Sequence, residues 1–205
     1  MPRPLLAPEN SLSTHSFIAR PTAGTGYSGI HVQLDGVPSN HLPLLLAAYQ
    51  YKFGRDVEAM AQHLIDDIAV GWDELGTDLL DDAPPTLVAT LTGGEHWPSR
   101  TLDHLITPDG SPPVRMTVTD TTASDLGMPW GYILHPQGIE VISMAHTGTG
   151  PLVAWDTDPN TPFSDHPAHW PAITTRRTPT TSRTARPPRP AAGAAPTGPR
   201  TAARR

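Results

Sequence analysis

The spacing of apolar residues changes from every second residue to a helical repeat within residues 30–53, and this change constrains the fold more than any other feature of the chain. Ile30, Val32 and Leu34 alternate with polar residues, which predicts a half-buried strand. The Asp35-Gly36 pair that follows predicts a turn.

An apolar helix is predicted after this turn. Its apolar residues recur three and four positions apart: Leu42, Leu45, Leu46, Tyr49 and Phe53. Ser39 is predicted to be the N-cap, which places Pro43 in the first turn, where a missing N–H does no harm. Gly54 is predicted to end this helix, and a second apolar helical face follows over residues 57–68.

The second half of the chain has a different pattern. Four short segments rich in strand-forming residues, 114–120, 130–136, 138–145 and 151–157, are separated by turn residues. Helices followed by a run of strands predict an α+β fold, with short helices packed on one face of a small, mainly antiparallel sheet. We expect residues 29–165 to form this single domain.

The two ends of the chain are predicted to be disordered. Residues 1–28 form a leader rich in Pro, Ser, Thr and Gly, and residues 166–205 form a tail rich in Arg, Pro, Ala and Thr, too poor in apolar side chains to offset chain entropy. Residues 171–205 carry eight arginines and no acid, a charge of +8, and residues 1–170 carry six basic and 20 acidic side chains, a charge of −14. The two values sum to the −6 of the chain, so an acidic body carries a basic tail.

The location expected from composition is cytoplasmic. The sequence has no cysteine, which excludes disulfides and thiolate nucleophiles. No apolar run approaches the roughly 18 residues of a membrane-spanning helix, and the N-terminus lacks the apolar core of a secretory signal. We therefore expect no membrane partner.

His31, Asp35 and His41 are the candidate catalytic residues near the predicted turn. An imidazole and a carboxylate within hydrogen-bond reach could activate a water molecule or the nearby Ser39 hydroxyl. The same residues also suit structural roles on the polar face of a strand, in a turn and at a helix cap. The sequence leaves open a small hydrolase or metal-dependent enzyme that uses this cluster.

No cofactor or metal site is predicted. Residues 24–29, GTGYSG, match a glycine-rich nucleotide-binding motif, but that motif needs a strand before it and a helix after it, and here a strand follows. The metal-binding motif H-E-x-x-H is absent. His63 and Asp67 have helical spacing, which is typical of a weak surface ion pair.

An acidic run occupies residues 66–82. Its members are Asp66, Asp67, Asp73, Glu74, Asp78, Asp81 and Asp82. Such a run can be a solvated rim that keeps the domain soluble, a surface that docks a basic partner or the chain's own tail, or a magnesium site, and we favour these in that order. Nucleic acid is expected to bind weakly at most, through the arginine tail, because the acidic body is repelled by the same polyanion.

Two segments carry a family resemblance. Residues 31–67, HVQLDGVPSNHLPLLLAAYQYKFGRDVEAMAQHLIDD, and residues 130–142, WGYILHPQGIEVI, resemble a group of uncharacterised actinobacterial proteins. More distantly, they resemble small phage and mobile-element proteins that begin with a strand, a DG-x-P turn and a Leu-rich helix. This chain departs from the group at Leu34 and Val37, where an aromatic residue is common. The resemblance implies an architecture and a genomic setting, and no activity.

The function predicted from these observations is protein binding. We expect a non-enzymatic cytoplasmic accessory protein of a mobile element or host genome, acting through contacts with an unknown protein partner. The acidic run is the surface expected to make those contacts. The alternative is the small hydrolase or metal-dependent enzyme that would use His31, Asp35 and His41.

Overall fold

The computed structural model describes residues 14–24, 26–105, 109–143, 150–170 and 174–176, and it describes side chains up to residue 170. The disorder predicted for residues 1–13 and 177–205 therefore lies outside the described residues.

Strands and short helices alternate in the first half of the chain, and strands dominate the second half. In chain order the elements are β1 (Ser16–Pro21), β2 (Tyr27–Val32), α1 (Pro38–Ala47), α2 (Val57–Ala61), β3 (Gly71–Glu74), α3 (Pro85–Thr92), β4 (Arg100–Thr101), β5 (Val118–Thr119), α4 (Thr122–Asp125), β6 (Trp130–His135), β7 (Gly138–Ser143), β8 (Pro151–Ala154) and β9 (Thr174–Arg176). Helices α1 and α2 each continue into a π-helical turn, Ala48–Lys52 and Gln62–Asp66. A 3₁₀ turn lies at Thr77–Leu80.

One mixed sheet joins the described strands in the order β4-β3-β2-β1-β6-β7-β8-β9, with β5 paired to the side of β2. Six of the eight pairings are antiparallel, and the two parallel ones join β1 to β6 and β2 to β3. The predicted α+β class with a mainly antiparallel sheet is confirmed.

The main core lies between the sheet and the helices α1 and α2. Ile18, Ile30 and Tyr132 face it from three adjacent strands, and Leu45 and Leu64 face it from the helical side, all fully buried. A smaller cluster covers the opposite face of the sheet, where the short α4 contributes a buried alanine. The helices thus pack chiefly on one face of the sheet. The candidate site described below lies where the central strand β2 ends and α1 begins.

The predicted leader is wrong for residues 16–28, because β1 lies in the middle of the sheet. Phe17, Ile18 and Ala19 are all fully buried: Ile18 faces the main core, and its two neighbours face the smaller cluster. A strand that is covered on both faces has a continuous apolar run instead of alternating apolar and polar residues. The alternation that predicts a half-buried strand is therefore absent from β1.

The predicted domain end at residue 165 is also too early. Trp170 is buried in the main core, where it packs edge-on against Phe163 with ring centroids 5.4 Å apart, and its indole N–H donates to the Ser164 carbonyl at 2.7 Å. Strand β9 then pairs with β8 at the edge of the sheet. A single tryptophan among polar and proline residues carries no periodic signal, so its burial was not predicted.

Two details of the predicted helices need correction. Helix α1 begins at Pro38, with Val37 as N-cap, so Ser39 lies inside the helix and its N–H donates to the Asp165 carboxylate at 3.1 Å. Pro43 consequently lies in the helix interior and not in the first turn.

Candidate functional site

The Asp35-Gly36 turn is fixed by three hydrogen bonds from different parts of the chain. The Gly36 N–H donates to the Thr14 carbonyl at 2.8 Å, and the Val37 N–H donates to the Asp35 carbonyl at 2.9 Å. The hydroxyl of buried Tyr132 donates to the Gly36 carbonyl at 2.8 Å. The turn therefore ties β1, β2 and β6 together at the start of α1.

Asp35 has a left-handed backbone, with a φ of 54°. Aspartate is one of the few side chains that adopt this conformation at modest cost. Its side chain is exposed, and no other described residue makes a hydrogen bond or ion pair with its carboxylate. The turn thus presents a carboxylate to solvent from a rigid position.

His41 is sealed in the core beside this turn. Its Nδ1 lies 3.4 Å from the buried Ser16 hydroxyl, and its ring packs at 5.3 Å from the ring of Tyr132. Burial lowers the pKa of His41 to about 3. At neutral pH it is an uncharged residue and a weak base, so it is poorly suited to general-base catalysis.

His31 lies apart from His41. Its Nε2 is 3.2 Å from His15 Nδ1, and the two rings stack with centroids 5.2 Å apart. Burial, and then the neighbouring His15, lower the pKa of His31. The structure shows no hydrogen bond that joins His31, Asp35 and His41 among the described residues, so their joint role in catalysis stays a sequence prediction.

A cavity of about 420 Å³ opens at the same corner. Asp35, Ser39 and His41 line it, whereas His31 does not. Its apolar wall comes from α1, α3 and the segments that follow β2 and β3: Leu34, Pro43, Leu44, Leu75, Leu80, Leu91 and Trp97. A volume of this size accommodates one long side chain or a small molecule.

The charge of the cavity is one-sided. Asp35 and Glu74 both line it, and no lysine or arginine is among its described lining residues. Glu74 also forms an ion pair with Arg100 at 3.0 Å, so Asp35 is the carboxylate left to interact with a ligand. Since His41 is neutral, the cavity combines negative charge with an apolar wall.

Thr77, which lines the cavity, contacts His96, and the sequence did not predict this pair. The Thr77 hydroxyl lies 2.6 Å from His96 Nδ1, donates to the Trp97 carbonyl at 2.9 Å and accepts from the Trp97 N–H at 3.2 Å. The 19-residue separation gives no periodic signal that could have found the pair. These bonds occupy the hydroxyl and hold the 95–99 loop against the 3₁₀ turn at Thr77–Leu80, which is a structural role.

Most of the acidic run is engaged within the chain. Asp66 pairs with Arg20, Asp67 accepts from Gln62, Asp73 and Glu74 share Arg100, and Asp78 and Asp81 share Lys52. Burial raises the pKa of Asp78, but hydrogen bonds from Ser99 and the charge of Lys52 outweigh it, and the net shift is downward. The run is thus a set of local ion pairs, and Asp82 is the member without a described partner.

Replacing Tyr132 with phenylalanine tests whether the turn depends on the bond to Gly36. We expect Tyr132→Phe to lower the free energy of unfolding by about 1–2 kcal/mol, because it leaves a carbonyl at a buried site without its donor. Tyr51→Phe is the matched control, since no described residue bonds to that hydroxyl. Urea unfolding compares the two variants, and equal losses would contradict a special role for the Tyr132 hydroxyl.

Metal and membrane features are the remaining candidates. No group of three or more histidine or carboxylate side chains in the described ranges could hold a metal ion. No helix in the described part of the chain is long and apolar enough to cross a membrane.

Comparison with known proteins gives no relative from which a role could be transferred. No protein-family model, curated protein or solved structure matches this chain. The candidate site therefore has to be judged on its own geometry.

Proposed function

We propose that this chain is a non-enzymatic protein-binding domain, and that the cavity beside Asp35 receives an arginine or lysine side chain of its partner. The observation that carries the proposal is the Asp35 carboxylate, which has no partner among the described residues and lines a cavity with an apolar wall and no lysine or arginine in its described lining. Arginine and lysine combine an apolar stem with a charged end, and so complement both parts of such a cavity.

The geometry of the cavity fits recognition better than catalysis. Its one described imidazole, His41, is sealed and has a pKa of about 3, so it does not supply a base at neutral pH. The rigid turn holds the Asp35 carboxylate in place before binding, which reduces the entropy lost when a partner docks. The proposed contact therefore moves from the acidic run to Asp35, and Glu74 is the one member of that run that also lines the cavity.

The biological setting of the proposal rests on the sequence. The resemblance to actinobacterial and mobile-element proteins favours an accessory role there, and a chain without cysteine suits a cytoplasmic location. The partner is then a protein with an exposed arginine or lysine in an extended segment. Contact with nucleic acid through the arginine tail remains a weak, salt-dependent addition.

Titration with a short peptide that is blocked at both ends and has one arginine as its only charged residue tests the proposal. We expect the backbone amides of residues 35 and 39 and the indole N–H of Trp97 to shift in NMR spectra of the labelled full chain. Asp35→Asn should weaken binding about tenfold, because a charge-assisted hydrogen bond becomes a neutral one. The same peptide with glutamine in place of arginine should bind the natural chain no more tightly than the arginine peptide binds Asp35→Asn.

Asp82→Asn is the matched control for this titration. Asp82 is also an exposed aspartate with a left-handed backbone, at a φ of 67°, but it does not line the cavity. Asparagine tolerates that conformation at both positions, so both variants should fold. The proposal fails if the two variants bind the arginine peptide equally well, or if the glutamine peptide binds as tightly as the arginine peptide.

A further inference from the structure

We propose that the cavity beside Asp35 is occupied in the free protein by the chain's own arginine-rich segment after residue 176, so that the tail competes with the external partner. This inference rests on the proposed function and names the competing ligand of the same site. The occupant is intramolecular, and its central residues are Arg183, Arg186 and Arg189.

Charge complementarity is the first argument. Seven arginines and no acidic residue follow Arg176, and residues 1–176 hold seven basic and 20 acidic side chains, a charge of −13. Many of those acids are paired within the body, as described above, whereas the Asp35 carboxylate has no described partner. An arginine from the tail can therefore interact with Asp35 without displacing an existing ion pair.

Reach is the second argument. Strand β9 ends at Arg176, and the four strands β8, β7, β6 and β1 lie between it and β2, next to the cavity. Five strand spacings correspond to roughly 24 Å. Arg186 and Arg189 are 10 and 13 residues beyond Arg176, and extended segments of those lengths span roughly 33 and 43 Å, so both arginines can reach the cavity around the molecule.

Tethering makes even a weak contact effective. A segment joined to the same chain has an effective concentration in the millimolar range for short linkers, and this concentration falls as the linker lengthens. The arginines at 183, 186 and 189 are closer to the body than those at 200, 204 and 205. Prolines lie beside the nearer group. A proline-containing segment loses less chain entropy on ordering than one without proline, which favours binding of this segment.

Two triple variants of the full chain separate the nearer group from the farther one. One carries Arg183→Gln, Arg186→Gln and Arg189→Gln, and the other carries Arg200→Gln, Arg204→Gln and Arg205→Gln. Both remove the same charge and leave residues 14–176 unaltered. The probe is the single-arginine peptide, followed by the NMR signals of the cavity.

We expect the nearer triple variant to bind the peptide about tenfold more tightly than the natural chain, and the farther variant to stay within about twofold. Without peptide, only the nearer variant should shift the Trp97 indole signal, and the shift should not depend on protein concentration. Adding Asp35→Asn should abolish the difference between the two variants.

The outcomes that overturn the inference differ from those that overturn the proposed function. If the peptide binds all three chains equally, the tail is not the occupant, although the cavity still binds arginine. A shift that disappears on dilution would mean that the tail of a second copy is bound, and the intramolecular form would be wrong. If the peptide binds no chain, including the nearer triple variant, the proposed function itself fails.

Discussion

Gly36→Ala is expected to lower the free energy of unfolding by about 3 kcal/mol, the largest effect of the substitutions considered. A Cβ atom at residue 36 would lie 2.5 Å from the Ser16 side chain and 2.7 Å from the Thr14 carbonyl oxygen. Both neighbours belong to the segment that leads into the central strand β1, so relief requires movement of backbone. That movement also strains the bonds from Gly36 N–H to Thr14 and from the Tyr132 hydroxyl to Gly36.

Gly24→Ala is the control for this substitution. No atom lies within 4 Å of a Cβ built at Gly24, and its φ is not in the left-handed region, so the unfolding free energy should change by no more than about 0.5 kcal/mol. Urea unfolding followed by tryptophan fluorescence compares the two. If both variants lose a similarly small amount of unfolding free energy, the turn relaxes easily. The close contact between the new methyl group and Ser16 would then not destabilise the fold.

A double substitution locates the strain further. Ser16→Gly removes the side chain that the new methyl group meets, so Gly36→Ala should cost less in the Ser16→Gly background than in the natural chain. The saving should be incomplete, because the Thr14 carbonyl remains. If the two substitutions are strictly additive, the contact between residues 16 and 36 is not the source of the loss.

The sequence predicted those helices and strands whose apolar residues have the spacing of the secondary structure they form and are buried in the fold. Helices α1 and α2 pack on the sheet through the apolar residues that recur at helical spacing, and the predicted strand segments 130–136 and 138–145 contain β6 and β7, which pair antiparallel. The central strand β1 was missed because burial on both faces removes the alternation that identifies a strand. Trp170 was missed because only long-range packing places it in the core.

The candidate site was only partly predictable, for the same reason. The Asp-Gly turn and the polar residues around it were visible, but which of them meet depends on tertiary contacts. The burial of His41 was predictable from the sequence. Residues 41, 45 and 48 lie three and four positions apart, which places them on one face of a helix, and all three are buried. No sequence pattern indicated the cavity, because its wall combines the turn after β2, helices α1 and α3 and the Trp97 segment far along the chain.

The corner that looked like a catalytic cluster thus serves two purposes. Its buried part, formed by Ser16, His41 and Tyr132, holds the turn in place, and its exposed part presents Asp35 at the mouth of the cavity. A rigid turn supporting an unpaired carboxylate is the arrangement expected for a preformed recognition site. Stability and binding should consequently be separable: substitutions at Asp35 should change binding, and substitutions behind it should change folding.

The second large expected effect is the contribution of His41 to the pH dependence of the free energy of unfolding. Its pKa is about 3 in the folded protein because of burial, against about 6.5 in an unfolded chain. As the pH falls below 6.5 the unfolded state takes up a proton that the folded state does not, so stability is lost progressively from about pH 6.5 down to about pH 3. At pH 5 the loss relative to neutral pH is about 2 kcal/mol from this one residue.

His41→Gln should remove this contribution, because glutamine does not titrate. The variant is expected to be less stable than the natural chain at pH 7, since the Ser16 contact is altered, but its stability should fall by about 2 kcal/mol less between pH 7 and pH 5. Ser16→Ala, which alters the same contact without removing an ionisable group, is the control and should keep the pH dependence of the natural chain. His31 and His63, whose pKa values are also lowered, add to the slope of all three chains and cancel in the comparison.

Urea unfolding at pH 7, 6 and 5 gives the required free energies. Parallel pH profiles for the natural chain and His41→Gln would mean that His41 takes up its proton in the folded state as easily as in the unfolded one. That result would place His41 in contact with solvent or with a carboxylate, and it would reopen the case for an imidazole acting in the cavity. A profile flattened by His41→Gln alone would instead fix His41 as a neutral core residue whose role is to support the turn behind Asp35.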